Sequence, residues 1–262
     1  MKYFAITVKG KKHSENEDRI LIGKTIRNEG SCSGELSSPQ TVFVFDGVGG
    51  ETGGATAAET LAEIFSGVQM KTDSMSSVLS RLAETNTQFR KKQEERGADN
   101  SATTAAGFII GENEFLTFNS GDTRIYAANA QRLYQLTRDH TRAQELIDCD
   151  RVKDPSKLPE RYQCTLTSYI GGPTDAFIPF LRKERYSVNR PEVFLLCSDG
   201  VYKHISKENI RTILIGEGSP EQKGAALIRS ARENGSEDDM SLVLIEAPKH
   251  TERSTGSKAG VL

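Results

Sequence analysis

Aspartate meets glycine at the end of two apolar runs: Asp46-Gly47 closes VFVF, and Asp199-Gly200 closes VFLLCS. Gly121-Asp122 follows EFLTFN, Asp238 and Asp239 precede MSLVLIE, and Glu17 and Asp18 precede RILIGKTI. Each alone reads as a tight turn, because Asp-Gly is favoured there. Five together read differently. Antiparallel strands bring their ends to a common rim, so carboxylates from distant parts of the chain can converge on it. Carboxylates gathered in this way repel one another and lose hydration, so they need positive charge between them. Oxygen-only ligands suit hard divalent cations, magnesium or manganese, and not zinc.

The stretch VFVFDGVGGETGG, from Val42 to Gly54, admits three readings: a nucleotide-phosphate cradle, a tight turn, or a metal site. The dinucleotide fingerprint needs a third glycine where Thr52 stands, which weakens the first. The elements weaken it further. Tyr3–Val8, Arg19–Ile26, Thr41–Phe45, Thr103–Ile110, Glu114–Asn119, Arg124–Ala128, Arg132–Leu136, Val193–Ser198 and Met240–Glu246 read as strands. Apolar residues at helical spacing mark two helices between Ala58 and Phe89, and two more over Ser206–Ile215 and Pro220–Glu233. Residues from Thr141 to Arg161 read as a helix and a polar excursion. Helices fall between groups of strands instead of alternating with them, so a doubly wound parallel sheet is not expected. Antiparallel sheets packed face to face, with helix pairs outside, fit better.

A chain of 262 residues can bury a sizeable core, and with no internal repeat or linker one domain over 1–248 is expected, followed by a frayed polar tail over 249–262. The 34 basic and 36 acidic residues nearly cancel, which excludes general attraction to nucleic acid or anionic membrane. Cys32, Cys149, Cys164 and Cys197 stand far apart without a CxxC pair, so neither a disulfide framework nor structural zinc is expected. The start, MKYFAITVKGKK, has too short an apolar run for a signal peptide, and no run suffices for a membrane helix. A reducing, bacterial-type cytoplasm is the expected location.

The ordered set N-E-D (16–18), D-G-x-G-G (46–50), G-D-T-R (121–124), T-R-D-H (137–140), S-D-G (198–200) and D-D-M-S (238–241) resembles the metal-dependent, type 2C protein serine/threonine phosphatases, the compact bacterial members in particular. Each motif is weak alone; their order from residue 10 to 246 makes the resemblance specific. It implies an α+β fold, a four-layer αββα sandwich of two central antiparallel β-sheets flanked by helix pairs. It also implies that Asp46 bridges two Mn2+ or Mg2+ ions, that the Gly47 carbonyl touches one, that Asp199 and Asp238 hold one ion and that Glu17 lies near the other. Asp18 and Asp239 would sit behind these ligands, with Asp18 orienting bound water, and a third, weaker ion would lie between Asp122 and Asp199. The activity implied is hydrolysis of phosphoserine and phosphothreonine esters on proteins by water activated between the ions. A cognate Ser/Thr kinase and a monomeric state are expected with it.

Other phosphatase chemistries fail on the sequence. Six residues after each cysteine lie Ser38, Pro155, Ile170 and Lys203, so no C-x5-R thiol nucleophile exists. Val48 and Arg124 stand where a D-x-D nucleophile motif would need aspartate after Asp46 and Asp122. Four positions depart from the family pattern. His13 replaces an arginine that grips phosphate, with Lys12 or Lys11 as substitutes of poorer geometry. Val48 replaces a histidine acid, Asp239 an asparagine, and Ser168 an arginine. These departures motivate an alternative, a catalytically weak binding module that retains its metal sites. Smaller expectations are that Arg124 orders the Asp122 turn, that Asp139-His140 forms a polar corner, and that 142–161 is either a flap near the site or a surface loop. Ser101, Thr103 and Thr104 are expected to be strand residues near the site.

Overall fold

Alternation along the strands decides the layers. In the segment Val42–Phe45 the valines pack inward and the phenylalanines outward, yet all four are buried, because sheet covers one face and helices the other. The computed structural model describes residues 1–247 except 49, 73, 98–100, 154–156, 172–176 and 187–191. The expected tail over 249–262 lies outside the described residues.

One six-stranded sheet contains β1 (Lys2–Val8), β4 (Gly30–Glu35), β8 (Arg124–Ala128), β9 (Leu133–Gln135), β11 (Val193–Cys197) and β12 (Met240–Glu246), in the order β4-β1-β12-β11-β8-β9. The other contains β2 (Asp18–Ile22), β3 (Thr25–Arg27), β5 (Gln40–Val48), β6 (Ala102–Ile110), β7 (Glu114–Ser120) and β10 (Phe180–Arg185), in the order β10-β7-β6-β5-β2-β3. The ladders are antiparallel. Ala5, Ile20, Val42, Val44, Phe108, Phe194 and Val243 fill the space between the sheets. Helices α1 (Gly50–Ser66) and α2 (Met75–Arg96) cover the β5 sheet, burying Leu61, Phe65, Leu82 and Phe89 against Phe43 and Phe45. Helices α6 (Lys207–Ile215) and α7 (Pro220–Glu233) cover the β12 sheet through Ile210, Leu214, Leu227 and Ile228. The result is the expected four-layer sandwich.

Helix ends follow capping chemistry. Ser74 caps α2, which stops at Gly97 with φ 66°. Ser219 and Gln222 form a reciprocal capping box before Pro220 starts α7. Between the sheets' strands lie α3 (Arg142–Asp148), α4 (Glu160–Cys164) and the single turn α5 (Asp199–Tyr202).

Three features differ from the sequence reading. Arg19–Ile26 is not one strand: it turns at Gly23, φ 61°, into the β2–β3 hairpin. The edge strands β4 (GSCSGE) and β10 (FLRKER) lack the apolar signal that marks their neighbours. Arg124 does not hold the Asp122 turn. Its Nε donates to Asp139 Oδ1 at 2.9 Å, its Nη1 donates to Tyr126 Oη at 2.9 Å, and its guanidinium lies 3.7 Å from the Tyr202 ring centroid. The turn is set instead by Gly121, at φ 102°, whose N–H donates to His140 Nδ1 and whose carbonyl accepts from the His140 N–H. Asp139-His140 is thus the polar corner.

Because Asp139 is 9 % exposed, Arg124→Ala leaves a buried carboxylate without its cation. The expected loss is about 3 kcal/mol, read as a lower urea midpoint at unchanged slope. A loss below about 1 kcal/mol would contradict this role for the pair.

Candidate metal centre

The inward-facing position of each central strand turns from apolar to polar at the same end of the sandwich. Val42 and Val44 are followed by Asp46, and Ile22 and Ile20 are preceded by Asp18. Phe194 and Leu196 lead to Ser198, while Ile245 and Val243 lead back to Ser241 and Asp239. Period-two alternation therefore delivers hydroxyls and carboxylates to one rim of the inter-sheet layer. Asp18 and Asp46 are directly opposed across the β2–β5 ladder, and Asp46 and Thr104 across β5–β6. Thr103 Oγ1 donates to the Asp46 carbonyl at 3.0 Å.

A hydrogen-bonded base joins the two sheets beneath this rim. Ser198 Oγ donates to Asp18 Oδ2 at 2.7 Å and accepts the Ser241 N–H at 3.0 Å. Ser241 Oγ lies 2.7 Å from Thr7 Oγ1, which accepts from Asn16 Nδ2 at 2.8 Å. Asp18 thus fixes the residue that precedes Asp199. Asp239 has a different task. Its Oδ1 accepts the Gly10 N–H at 2.7 Å and its Oδ2 the Glu17 N–H at 2.8 Å, so a carboxylate with two acceptor oxygens fits where an amide would offer one. The loop bearing Lys12 and His13 and the residue Glu17 are held together by this side chain.

Cations stand at the flanks. Lys12 Nζ lies 2.9 Å from Asp238 Oδ2, and Lys203 Nζ lies 2.6 Å from Asp199 Oδ2 and 3.2 Å from Asp122 Oδ2. His13 Nδ1 faces Asp239, Glu17 and Asp238 at 3.4, 3.6 and 3.8 Å. Among the described residues His13, Asp238 and Asp239 are the group whose ligand atoms lie within 4.8 Å of one another; Asp46, Asp199 and Asp238 form no second such group. Among the described residues no cation forms an ion pair with Asp46 at the centre of the rim.

The electrostatics follow from that gap. Burial pushes the Asp46 carboxyl well above the usual carboxylate range, and repulsion from Asp199, Asp18, Asp122 and Asp238 adds to it. Burial likewise raises Asp18, against the opposing hydrogen bond from Ser198. Glu17 is raised by burial, with His13 opposing and Asp239 and Asp238 assisting. Burial and Asp199 lift Asp122 to about 6, with Lys203 opposing. For Lys203 burial favours the neutral amine, but Asp199 and Asp122 outweigh it and hold the ammonium charged. The Asp238 hydrogen bond raises Lys12. Four carboxylates that repel a partly buried, unpaired Asp46, all oxygen donors, fit hard divalent cations.

The fold itself requires glycine at position 47. A Cβ on it would lie 2.1 Å from the Gly54 carbonyl oxygen in the first turns of α1. Glycine lets β5 run directly under the helix that follows it. A cavity of about 510 Å³ opens beside Asn16 and Arg19, but Asp46, Asp199 and Asp238 take no part in lining it.

Lys203 and Tyr202 were not singled out from the sequence, and Ser198 entered only as part of the S-D-G motif. The signal available for Lys203 is its spacing, four residues after Asp199, which places both on one face if the segment turns helically.

A family model for protein phosphatase 2C matches residues 5–146. The chain belongs to that family. It is a serine/threonine protein phosphatase of the 2C type, a hydrolase of a metal-dependent family whose substrates are phosphoproteins. The serine/threonine phosphatase stp of Listeria welshimeri is 25% identical over 252 residues, covering 89% of this chain and 95% of its own. Protein phosphatase PhpP of Streptococcus pneumoniae is 23% identical over 251 residues, with 94% and 97% covered. The crystal structure of serine/threonine phosphatase Stp1 from Staphylococcus aureus matches with a TM-score of 0.78 at 21% identity, covering 95% of each chain. Among the described residues, no helix of this 2C phosphatase is long and apolar enough to cross a membrane.

Proposed function

We propose that this phosphatase works through two divalent cations, Mn2+ or Mg2+, held by Asp46, Asp199, Asp238 and Glu17, with the Gly47 carbonyl as a further ligand. The observation that carries the reading is Asp46: it lies amid four other carboxylates, and among the described residues its carboxylate makes no ion pair and no hydrogen bond. When bound, the ions would supply an acidified water and offset charge on the phosphoryl oxygens.

The chain's own residues account for the rest. Asp18 and Ser198 fix the segment that presents Asp199, and Asp239 fixes the backbone of Glu17. Lys12 and His13 stand at the edge of the centre, where a substrate phosphate would arrive. Lys12 is 60 % exposed at its side chain and free to turn from Asp238 to phosphate. Val48 offers no proton, so water would protonate the departing serine or threonine alkoxide. A cognate Ser/Thr kinase, a cytoplasmic location, a monomeric state and one catalytic domain over 1–248 belong to the same reading. The family membership favours an enzyme over the binding module that His13 and Val48 suggested.

Chelated protein assayed on phosphothreonine and phosphotyrosine peptides tests the proposal. Turnover is expected on phosphothreonine alone, and only after Mn2+ or Mg2+ is restored. Undiminished turnover in excess EDTA, or equal rates on both peptides, would overturn it.

A further inference from the structure

The family resemblance places a third, weaker ion between Asp122 and Asp199, and that position does not fit one here. It already holds an ammonium. Lys203 Nζ lies 2.6 Å from Asp199 Oδ2 and 3.2 Å from Asp122 Oδ2. Tyr202 Oη donates to the Asp122 carbonyl at 3.0 Å and stands 3.4 Å from Asp122 Oδ2, so that oxygen faces two donors. A magnesium or manganese ion bridging these two carboxylates would share them with the ammonium and stand close against its positive charge.

The lysine is built into the position rather than draped over it. Asp199 and Lys203 are the first residue and the C-cap of the one-turn helix α5, and the Lys203 N–H donates to the Asp199 carbonyl at 3.0 Å. That turn is anchored: Tyr202 is buried beneath the Arg124 guanidinium, and Ser236 Oγ donates to the Gly200 carbonyl at 2.7 Å. The Lys203 side chain is 29 % exposed, against 60 % for Lys12. Its contacts run to Oδ2 of each aspartate, leaving Asp199 Oδ1 for the central pair.

We propose that Lys203 is a built-in cation that replaces the third divalent ion at Asp122 and Asp199, so that this phosphatase binds a pair of ions and no third. Lys203 is then a positioning residue: it neutralises Asp122 and steadies Asp199 without touching substrate. The inference rests on the proposed two-ion centre.

Its test is metal stoichiometry on the stripped full chain, counting bound Mn2+ by electron paramagnetic resonance and calorimetry. Wild type is expected to bind two ions per chain. Lys203→Ala and Lys203→Gln are expected to gain a third, weaker one, lost again on adding Asp122→Asn, while Lys203→Arg stays at two. Thermal melts select whichever neutral variant keeps the wild-type fold. Three ions in wild type, or two in a folded neutral variant, would overturn the inference and leave the two-ion centre intact. No bound Mn2+ in wild type would overturn the centre, and the inference with it.

Discussion

Asp46→Asn is expected to lower turnover on a phosphothreonine peptide by at least about 100-fold, on the scale seen when charge stabilisation of a transition state is removed. The same substitution should abolish the rise in melting temperature that Mn2+ gives the wild type. In the ion-free protein it should do the opposite of harm. Asp46 is held well above its ordinary range by burial and by four neighbouring carboxylates, so its ionised form opposes folding near neutral pH. An uncharged isostere removes that repulsion, and the chelated variant should melt above the chelated wild type. Both readouts belong to one variant, which separates a charge effect from misfolding. A chelated variant that melts lower, or one that keeps its Mn2+ response, would contradict the placement of Asp46 at the hub.

This opposition between stability and function explains which parts of the centre could be read from sequence. Val42–Phe45 and Val193–Cys197 are buried on both faces, so their composition announced them, and the Asp-Gly after each marked the rim. The inward parity of Asp18, Asp46, Ser198 and Asp239 also follows from counting by twos from their apolar neighbours. Gly30–Glu35 was illegible because it pairs β1 from the sheet's edge with mostly exposed side chains, leaving hydrogen bonding to the ladder as its main signal. Phe180–Arg185 fails similarly, with lysine and arginine along an edge strand paired to β7.

Roles that depend on partners were harder still. Asp239 stood out only as a carboxylate where the family pattern has asparagine, whereas two backbone N–H groups, from Gly10 and Glu17, consume its carboxylate. Arg124 sits two residues from Asp122, but strand alternation aims it at Tyr202 and Asp139 on the helix-covered face. Lys203 becomes visible only once Asp199–Tyr202 is known to be a turn of helix, which four residues cannot announce. The demand for glycine at 47 comes from the Gly54 carbonyl above it, a contact that no spacing in the sequence displays.

Removing the ions should therefore make stability fall with rising pH, and restoring them should reverse it. Asp122 titrates at about 6 in the folded chain and near 4 when unfolded. Between those values the folded chain holds more protons, so stability declines as pH rises through the window. Asp46 and Asp18 extend the decline in the same direction. For groups that interact this closely the loss belongs to the cluster, and the Asp122 shift alone sets it on the order of 2–3 kcal/mol. His140 tilts the other way: burial keeps it neutral, so it adds stability as pH rises towards its ordinary range. Subtracting the chelated Asp46→Asn curve from the chelated wild-type curve cancels His140 and leaves the carboxylates. That difference should widen from pH 4 to pH 7. With Mn2+ at about 100 times its dissociation constant, two sites would add about 5 kcal/mol to the wild type, because only the folded chain gathers the ligands. A difference that stays flat with pH, together with a melting temperature indifferent to Mn2+, would mean that the rim carboxylates neither repel one another nor hold ions.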